Sequence, residues 1–228
     1  MTYIQNEHLT RQAEIIPNEV LDKKITVIGA GAIGGWTVLS LAKMGFHNIT
    51  VYDPDIISIE NMNCQFYPHK AIGKGKAVTL YKLVKSFADV RIEPISELYK
   101  SGDPLGSGIV ISAVDSMEVR KEIWNMHLGN EPTNYIIDPR MGAETALMYV
   151  MDPNSSKDVQ SYEKTLYSDE DAVQERCTAK ATIYTANLLS GLVCKAVKDI
   201  AVGNPYTRVS QWDISKNSAL FWNSKKEE

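Results

Sequence analysis

Apolar and polar positions along the chain alternate between short continuous runs and helical repeats, and the order of the two types organises the molecule. A polar lead-in over residues 1–23 gives way to KITVIG, which predicts a buried strand from Lys24 to Ile28. After the glycines at 29–34 comes WTVLSLAKMG, where Val38, Leu41, Ala42 and Gly45 recur at helical spacing and the glycine is a natural stop. The β-branched NITVYD, Asn48 to Asp53, predicts a second strand. Two strands joined by a helical crossover must run parallel, with a right-handed connection. The stretch from Pro54 to Gly75 is polar and aperiodic, too long for a tight turn, and loops of this kind carry function.

A helix is expected from about Lys76 to Phe87, followed by strands at RIEPIS and GIVISAVD. The run Ile109 to Val114 is unbroken, as in a central parallel strand covered on both faces. MEVRKEIWNMHLGN is amphipathic and NYIIDP is the next buried strand, with ETALMYVMD paired to it antiparallel through a turn at Arg140 to Ala143. Pro153 to Glu175 has no sustained periodicity and is expected as an exposed excursion. From Ala179 to about Val202 the pattern is a long apolar core helix with a break expected at Gly191. TRVSQWDI and SALFW are late strands, and core packing is expected for Trp212, Phe221 and Trp222 in preference to a partner surface. The fold class that follows is α/β, a doubly wound, mainly parallel sheet with antiparallel strands towards the C-terminus, built as one domain over residues 24–228.

Composition narrows the function classes. With 24 Lys and Arg against 28 Asp and Glu over 228 residues, the net charge is −4, so no global positive field attracts nucleic acid or an anionic membrane. Three cysteines, Cys64, Cys177 and Cys194, include no CxxC pair, which excludes a disulfide scaffold and a thiolate zinc knuckle within the chain. The N-terminus has no signal-peptide core, no segment is long and apolar enough to span a membrane, and a cytoplasmic protein is expected.

Candidate chemistry begins at Gly29, Gly31 and Gly34, a G-A-G-A-I-G pattern between a predicted strand and a predicted helix. The first glycine makes the turn, the second lets backbone approach a ligand, and the third lets helix and sheet pack closely. The helix N-terminus adds a field that favours phosphate. Asp53 ends the second strand about 20 residues on, where an acid can accept hydrogen bonds from a ribose diol. Glycine turns also serve packing alone, and on these residues a dinucleotide dehydrogenase and an ATP-using enzyme look alike.

The stretch DPDIISIENMNCQFYPHKAIGKGKA, with Asp53, Asp55, Asn61, Gln65, Gly73 and Lys76, resembles the signature of the ThiF/MoeB/HesA family, the activating enzymes for ubiquitin and ubiquitin-like proteins. HLTRQ at 8–12 looks like that family's N-terminal Arg-Gln element and SAVDSMEVR at 112–120 like its Asp-Asn-x-x-x-Arg segment. The resemblance implies a Rossmann-like adenylation domain that binds ATP with Mg and adenylates the C-terminal carboxylate of a ubiquitin-like or sulfur-carrier-like protein. It further implies Lys76 at the phosphates, Asp115 as metal ligand, Asn61 and Gln65 at the nucleotide, and Arg11 reaching the neighbouring subunit's ATP in a homodimer. Cys177 falls where relatives place a cysteine that carries sulfur or a thioester; a buried, inert thiol is the plainer reading of it.

The chain departs from the pattern at Cys64, where the family has arginine, and at Ser116, where it has asparagine. A phosphate-facing arginine is worth about 10³-fold or more in phosphoryl transfer, so three readings stay open: Arg11, Lys70 or Lys74 supplies the charge, the enzyme is slow, or the chain is a catalytically silent nucleotide-binding scaffold. A nicotinamide-dependent oxidoreductase is the rival from another class. The length leaves no room for the extra domains of the large activating enzymes, so a minimal, standalone member is expected. For Asp138 and Arg140, a cleft position and a turn or ion-pair role are both open.

Overall fold

The computed structural model describes residues 3–100, 108–128, 133–167 and 181–222. Its elements, in chain order, are β1 (Ile25–Ile28), α1 (Ala32–Lys43), β2 (Ile49–Tyr52), α2 (Lys76–Ala88), β3 (Glu93–Ile95), β4 (Gly108–Ser112), α3 (Met117–His127), β5 (Thr133–Gly142), β6 (Thr145–Met151), α4 (Ser156–Glu163), α5 (Ile183–Val202), β7 (Val209–Asp213) and β8 (Ser218–Trp222). They form one eight-stranded sheet of order β3-β2-β1-β4-β5-β6-β7-β8. The pairs from β3 through to β5 are parallel, and those from β5 to β8 antiparallel. The expected α/β fold class is therefore present.

Strand residues alternate between two cores, as a pleated sheet covered on both faces requires. Ile25, Val27, Val51, Ile109 and Ile111 pack with α1, α2 and α5 through Val38, Leu41, Leu80, Leu189 and Val193. Ile28, Val110 and Ile136 point the other way, onto Ile123 and Trp124 of α3 and Tyr162 of α4. The lead-in is less peripheral than its polarity predicts, because Leu9, Ile16 and Leu21 are buried in the first core. The chain order reverses between β1 and β4, and there the helices that follow the two strands leave on opposite faces. In open α/β sheets the carboxyl ends of such strands border the ligand crevice.

Several boundaries differ from the sequence expectation. Helix α1 starts at Ala32, four residues before the expected Trp36, because Gly34 and Gly35 lie inside its first turns, not in the loop. Helix α5 runs unbroken through Gly191, where a Cβ would meet only open space. Part of the expected excursion is helix α4: Ser155 caps it by accepting the Asp158 N–H, and its buried positions are Asp158 and Tyr162. A stripe of one acid and one tyrosine has no apolar period to detect. The β5–β6 hairpin turns at Ala143–Glu144, with Arg140 still inside the strand. Strand β8 is an exposed edge, with Leu220, Phe221 and Trp222 each about half accessible, so core packing fails for Phe221 and Trp222. Among the described residues no helix is long and apolar enough to cross a membrane.

In the second core the His127 ring is fully buried and its Nε2 lies 3.2 Å from the Tyr99 hydroxyl. Burial disfavours the imidazolium and pushes its pKa down to about 4. A histidine neutral in the folded state and titrating near 6.5 when unfolded makes stability fall as pH drops through that window. Between pH 7 and pH 5 the expected loss from this group is about 2 kcal/mol. Urea unfolding at the two pH values checks it, and His127→Gln flattens the profile there.

Candidate nucleotide site

The carboxyl ends of β1 and β4 meet at the glycine turn. Gly29 has φ +97°, a conformation L side chains rarely adopt, and a Cβ on it would lie 2.5 Å from the Ala113 carbonyl oxygen. At Gly34 a Cβ would run into the Gly29 carbonyl, so helix α1 closes onto the turn only because that position lacks a side chain. Gly31 is different. Among the described residues the one atom within 4 Å of where a Cβ would sit is Gln65 Nε2, at 3.8 Å, so the space in front of the α1 N-terminus is open. Two of the three glycines are thus explained by packing, and the middle one faces a vacancy at a helix N-terminus that suits an anion.

A relay of hydrogen bonds joins this turn to the loop after β2. Asp53, buried at the end of β2, accepts the Ala30 N–H at 2.6 Å on Oδ2 and the Asp55 N–H at 2.8 Å on Oδ1. Burial still raises its pKa, against the opposing effect of these N–H groups and Lys76. Asp55 in turn accepts Lys76 Nζ at 2.8 Å, and its carbonyl accepts the Lys76 backbone N–H at 2.9 Å. Lys76 is the first residue of α2 and is 8% exposed, whereas Asp55 is largely in solvent. The loop folds back over the turn: Tyr67 donates its hydroxyl to the Ala30 carbonyl at 2.7 Å, and Trp36 Nε1 donates to the Cys64 carbonyl at 3.3 Å. Gln65 is buried with its Nε2 beside Gly31, and its Oε1 has no hydrogen-bond partner among the described residues.

Other expected residues are placed as follows. Asn61 is part of a capping box, its Oδ1 accepting the Ser58 N–H at 3.1 Å, so the amide nitrogen is the group left for a ligand. Asp115 lies just beyond β4 and is exposed, two residues past the Ala113 carbonyl that touches Gly29. Arg11 is not brought to the site of its own chain. It lies in the 3₁₀ segment whose Gln12 donates to the Met44 carbonyl at the C-terminal end of α1, about 18 Å along the helix from the glycine turn. Cys177 lies outside the described residues. Cys64 is buried, and burial raises its thiol pKa while the Lys76 charge works the other way. Cys194 is packed in α5, its pKa pushed up to about 12. Lys70 and Lys74 are exposed.

The site fits ATP by its open glycine at a helix N-terminus, the Gln65 amide nitrogen beside that glycine and the buried lysine. No group of three or more His, Cys, Asp and Glu that could hold a metal occurs among the described residues. Asp115 offers a single carboxylate, the arrangement in which magnesium relies on substrate phosphates and water for its remaining ligands.

The ThiF family model matches residues 11–226 of the 228. The chain belongs to the ThiF family. Similar proteins include the NEDD8-activating enzyme E1 catalytic subunit of Dictyostelium discoideum, 36% identical over 107 residues, 45% of this chain and 24% of that protein. Another is tRNA threonylcarbamoyladenosine dehydratase 2 of Saccharomyces cerevisiae, 26% identical over 132 residues, 51% of this chain and 29% of that one. The chain thus spans roughly a quarter of the length of such relatives. Among solved structures, E. coli MccB with AMPCPP and MccA superposes with a TM-score of 0.76 at 13% identity, covering 98% of this chain and 73% of that one. PaaA gives 0.75 at 13% identity over 98% and 74%. These likenesses carry the fold, a Rossmann-like sheet with an antiparallel extension.

Of the roles open for Asp138 and Arg140, the structure shows the ion pair. Asp138 is fully buried and bonded to Arg120, Arg140 and Tyr162, and Arg120 also donates to the Val114 carbonyl just past β4. The glycines allow a direct stability test. Gly34→Ala is expected to lower stability by about 1–3 kcal/mol through overpacking, while Gly31→Ala changes it by no more than about 1 kcal/mol. Thermal melting of both variants checks the contrast.

Proposed function

We propose that this protein binds ATP in front of the α1 N-terminus and adenylates a carboxylate, that of the C-terminus of a ubiquitin-like or sulfur-carrier-like small protein. The observation that carries this reading is the open Gly31 face at the α1 N-terminus, with the Gln65 amide nitrogen next to it and the buried Lys76 on the Asp53–Asp55 relay. Membership of the ThiF family and the names of its relatives, which include activating enzymes, support it. So does a neighbour solved with ATP.

In the proposed reaction a carboxylate oxygen attacks the α-phosphorus of ATP, the bond from that phosphorus to the bridging oxygen breaks, and pyrophosphate leaves. Attack of an anion on a polyanion needs compensating charge in a site with little water. Lys76 supplies it as a point charge, exchanging its Asp55 partner for phosphate oxygens. The α1 N-terminus contributes its N–H groups, and Asn61 its amide nitrogen. Magnesium, held by Asp115, would neutralise further phosphate charge. Both Asp53 oxygens already accept backbone N–H groups, so a ribose hydroxyl would use a remaining lone pair of a carboxylate that also clamps the turn. Arg11, displaced from its own site, is proposed to serve a second copy in a homodimer. A thioester or sulfur step at Cys177 belongs to the same reading. The exposed Leu220, Phe221 and Trp222 of edge strand β8 offer apolar surface to a small protein partner.

The buried thiol stands where the family's arginine would be, and this keeps a second reading in view: a nucleotide-binding scaffold without turnover. Pyrophosphate exchange into ATP, dependent on magnesium and a cognate carboxylate, separates the two. The adenylation reading predicts a loss of about 100-fold or more in Lys76→Ala and Asp115→Ala proteins that melt like the parent. It also predicts that Cys64→Ala keeps the rate within about threefold, because a buried protonated thiol is no nucleophile. Absence of exchange with a verified partner, together with intact ATP binding, would establish the scaffold.

A further inference from the structure

A buried ionic network on the α3 face sits directly behind the Asp115 loop. Asp138 of β5 is 0% exposed, and its Oδ1 accepts Arg120 Nε at 2.6 Å. Its Oδ2 accepts Arg140 Nε at 2.8 Å and the Tyr162 hydroxyl at 2.7 Å. Arg120, from α3, also donates Nη2 to the Val114 carbonyl at 2.6 Å. Arg140 donates to the Thr165 carbonyl at 2.9 Å and to its Oγ1 at 3.1 Å, and its guanidinium lies 4.6 Å over the Tyr149 ring. One carboxylate therefore joins β5, α3, α4 and the end of β4.

Burying three charged groups on the face that carries Ile136 and Trp124 contributes little to net stability compared with apolar side chains of the same size, and the best-attested use of such a cluster is to fix register. The register at stake here is that of four residues. Ala113 is pinned to β1 by its N–H to the Ile28 carbonyl at 2.8 Å, and its own carbonyl packs on Gly29. Val114 is held by Arg120, and Ser116 caps α3 by accepting the Val119 N–H at 3.3 Å. Asp115 is the exposed residue between these fixed points.

We propose that Asp138 is a positioning residue: acting through Arg120, it sets the height of the Val114–Asp115 backbone so that the Asp115 carboxylate meets a metal–nucleotide at the glycine turn. This rests on the nucleotide reading above. Asp138 touches neither metal nor nucleotide. Its effect is transmitted by the Nη2 bond to Val114. The same carboxylate, through Arg140, ties that loop to Thr165.

The test is calorimetric ATP binding in EDTA and across a MgCl₂ titration, for the parent, Asp115→Ala, Asp138→Asn and Arg120→Lys. An asparagine can accept from one guanidinium but presents N–H groups to the other, and a lysine keeps its charge but cannot bridge Asp138 and Val114. The expected result is metal-free affinity within about twofold of the parent, with magnesium enhancement cut by roughly tenfold, as in Asp115→Ala. If Asp138→Asn does not fold, Arg120→Lys decides by the same criterion. Full magnesium enhancement in the network variants, with its loss in Asp115→Ala, would overturn the proposal and leave the nucleotide reading intact. Equal loss of metal-free and metal-dependent binding would overturn it in favour of a general structural role. A parent protein that does not bind ATP would remove both.

Discussion

A carboxylate withdrawn from water must be given hydrogen bonds by the protein, and Asp53 takes them from the N–H groups of Ala30 and Asp55. One acid thereby fixes the glycine turn after β1 to the loop after β2. Asp55 carries the connection on to Lys76 and so to the start of α2. Everything proposed about phosphate binding depends on this relay, because the turn, the lysine and the overlying Gln65 keep their spacing through it. The relay also explains why an aperiodic stretch of more than twenty residues between two elements has a defined course, with Tyr67 and Trp36 fastening its far side.

The parallel half of the sheet was legible in the sequence because its strands are continuous β-branched runs and its helices follow at the expected spacing. Val27, Val51 and Ile111 are buried as such runs require. The glycine pattern likewise marked the right turn, though it could not tell Gly29 and Gly34, needed for packing, from Gly31, which faces open space. Helix α4 escaped because its inward residues are Asp158 and Tyr162. Asp158 pairs with Arg208, remote in the sequence, and accepts the nearby Asp152 N–H, neither of which leaves an apolar signature. The half-exposed β8 escaped for the opposite reason, since SALFW has the composition of a core strand and its exposure is decided by where the sheet ends. For Asp138 and Arg140 a cleft position and a turn or ion-pair role are equally legible in the sequence, and β5 carries both residues as partners in an ion pair.

Charge around the site is distributed in two tiers. At the front, Lys76 balances Asp55, and the thiol of Cys64 adds nothing, since burial holds it protonated. At the back, two guanidinium groups surround one carboxylate behind the Asp115 loop. The first tier is available to a ligand, since the partner of Lys76 is an exposed acid that solvent can take over. The second is fully committed, with Arg120 and Arg140 each bonded to Asp138 and to a backbone carbonyl. Such a division lets the front of the crevice exchange partners while the frame around it stays in place.

The most direct measurement is a crystal structure of the protein with a non-hydrolysable ATP analogue and magnesium. The account predicts the phosphates in front of Gly31, within reach of the Gln65 amide nitrogen, and Lys76 released from Asp55 onto them. A nucleotide bound elsewhere, or one at the turn with the Lys76–Asp55 pair unbroken, would contradict it.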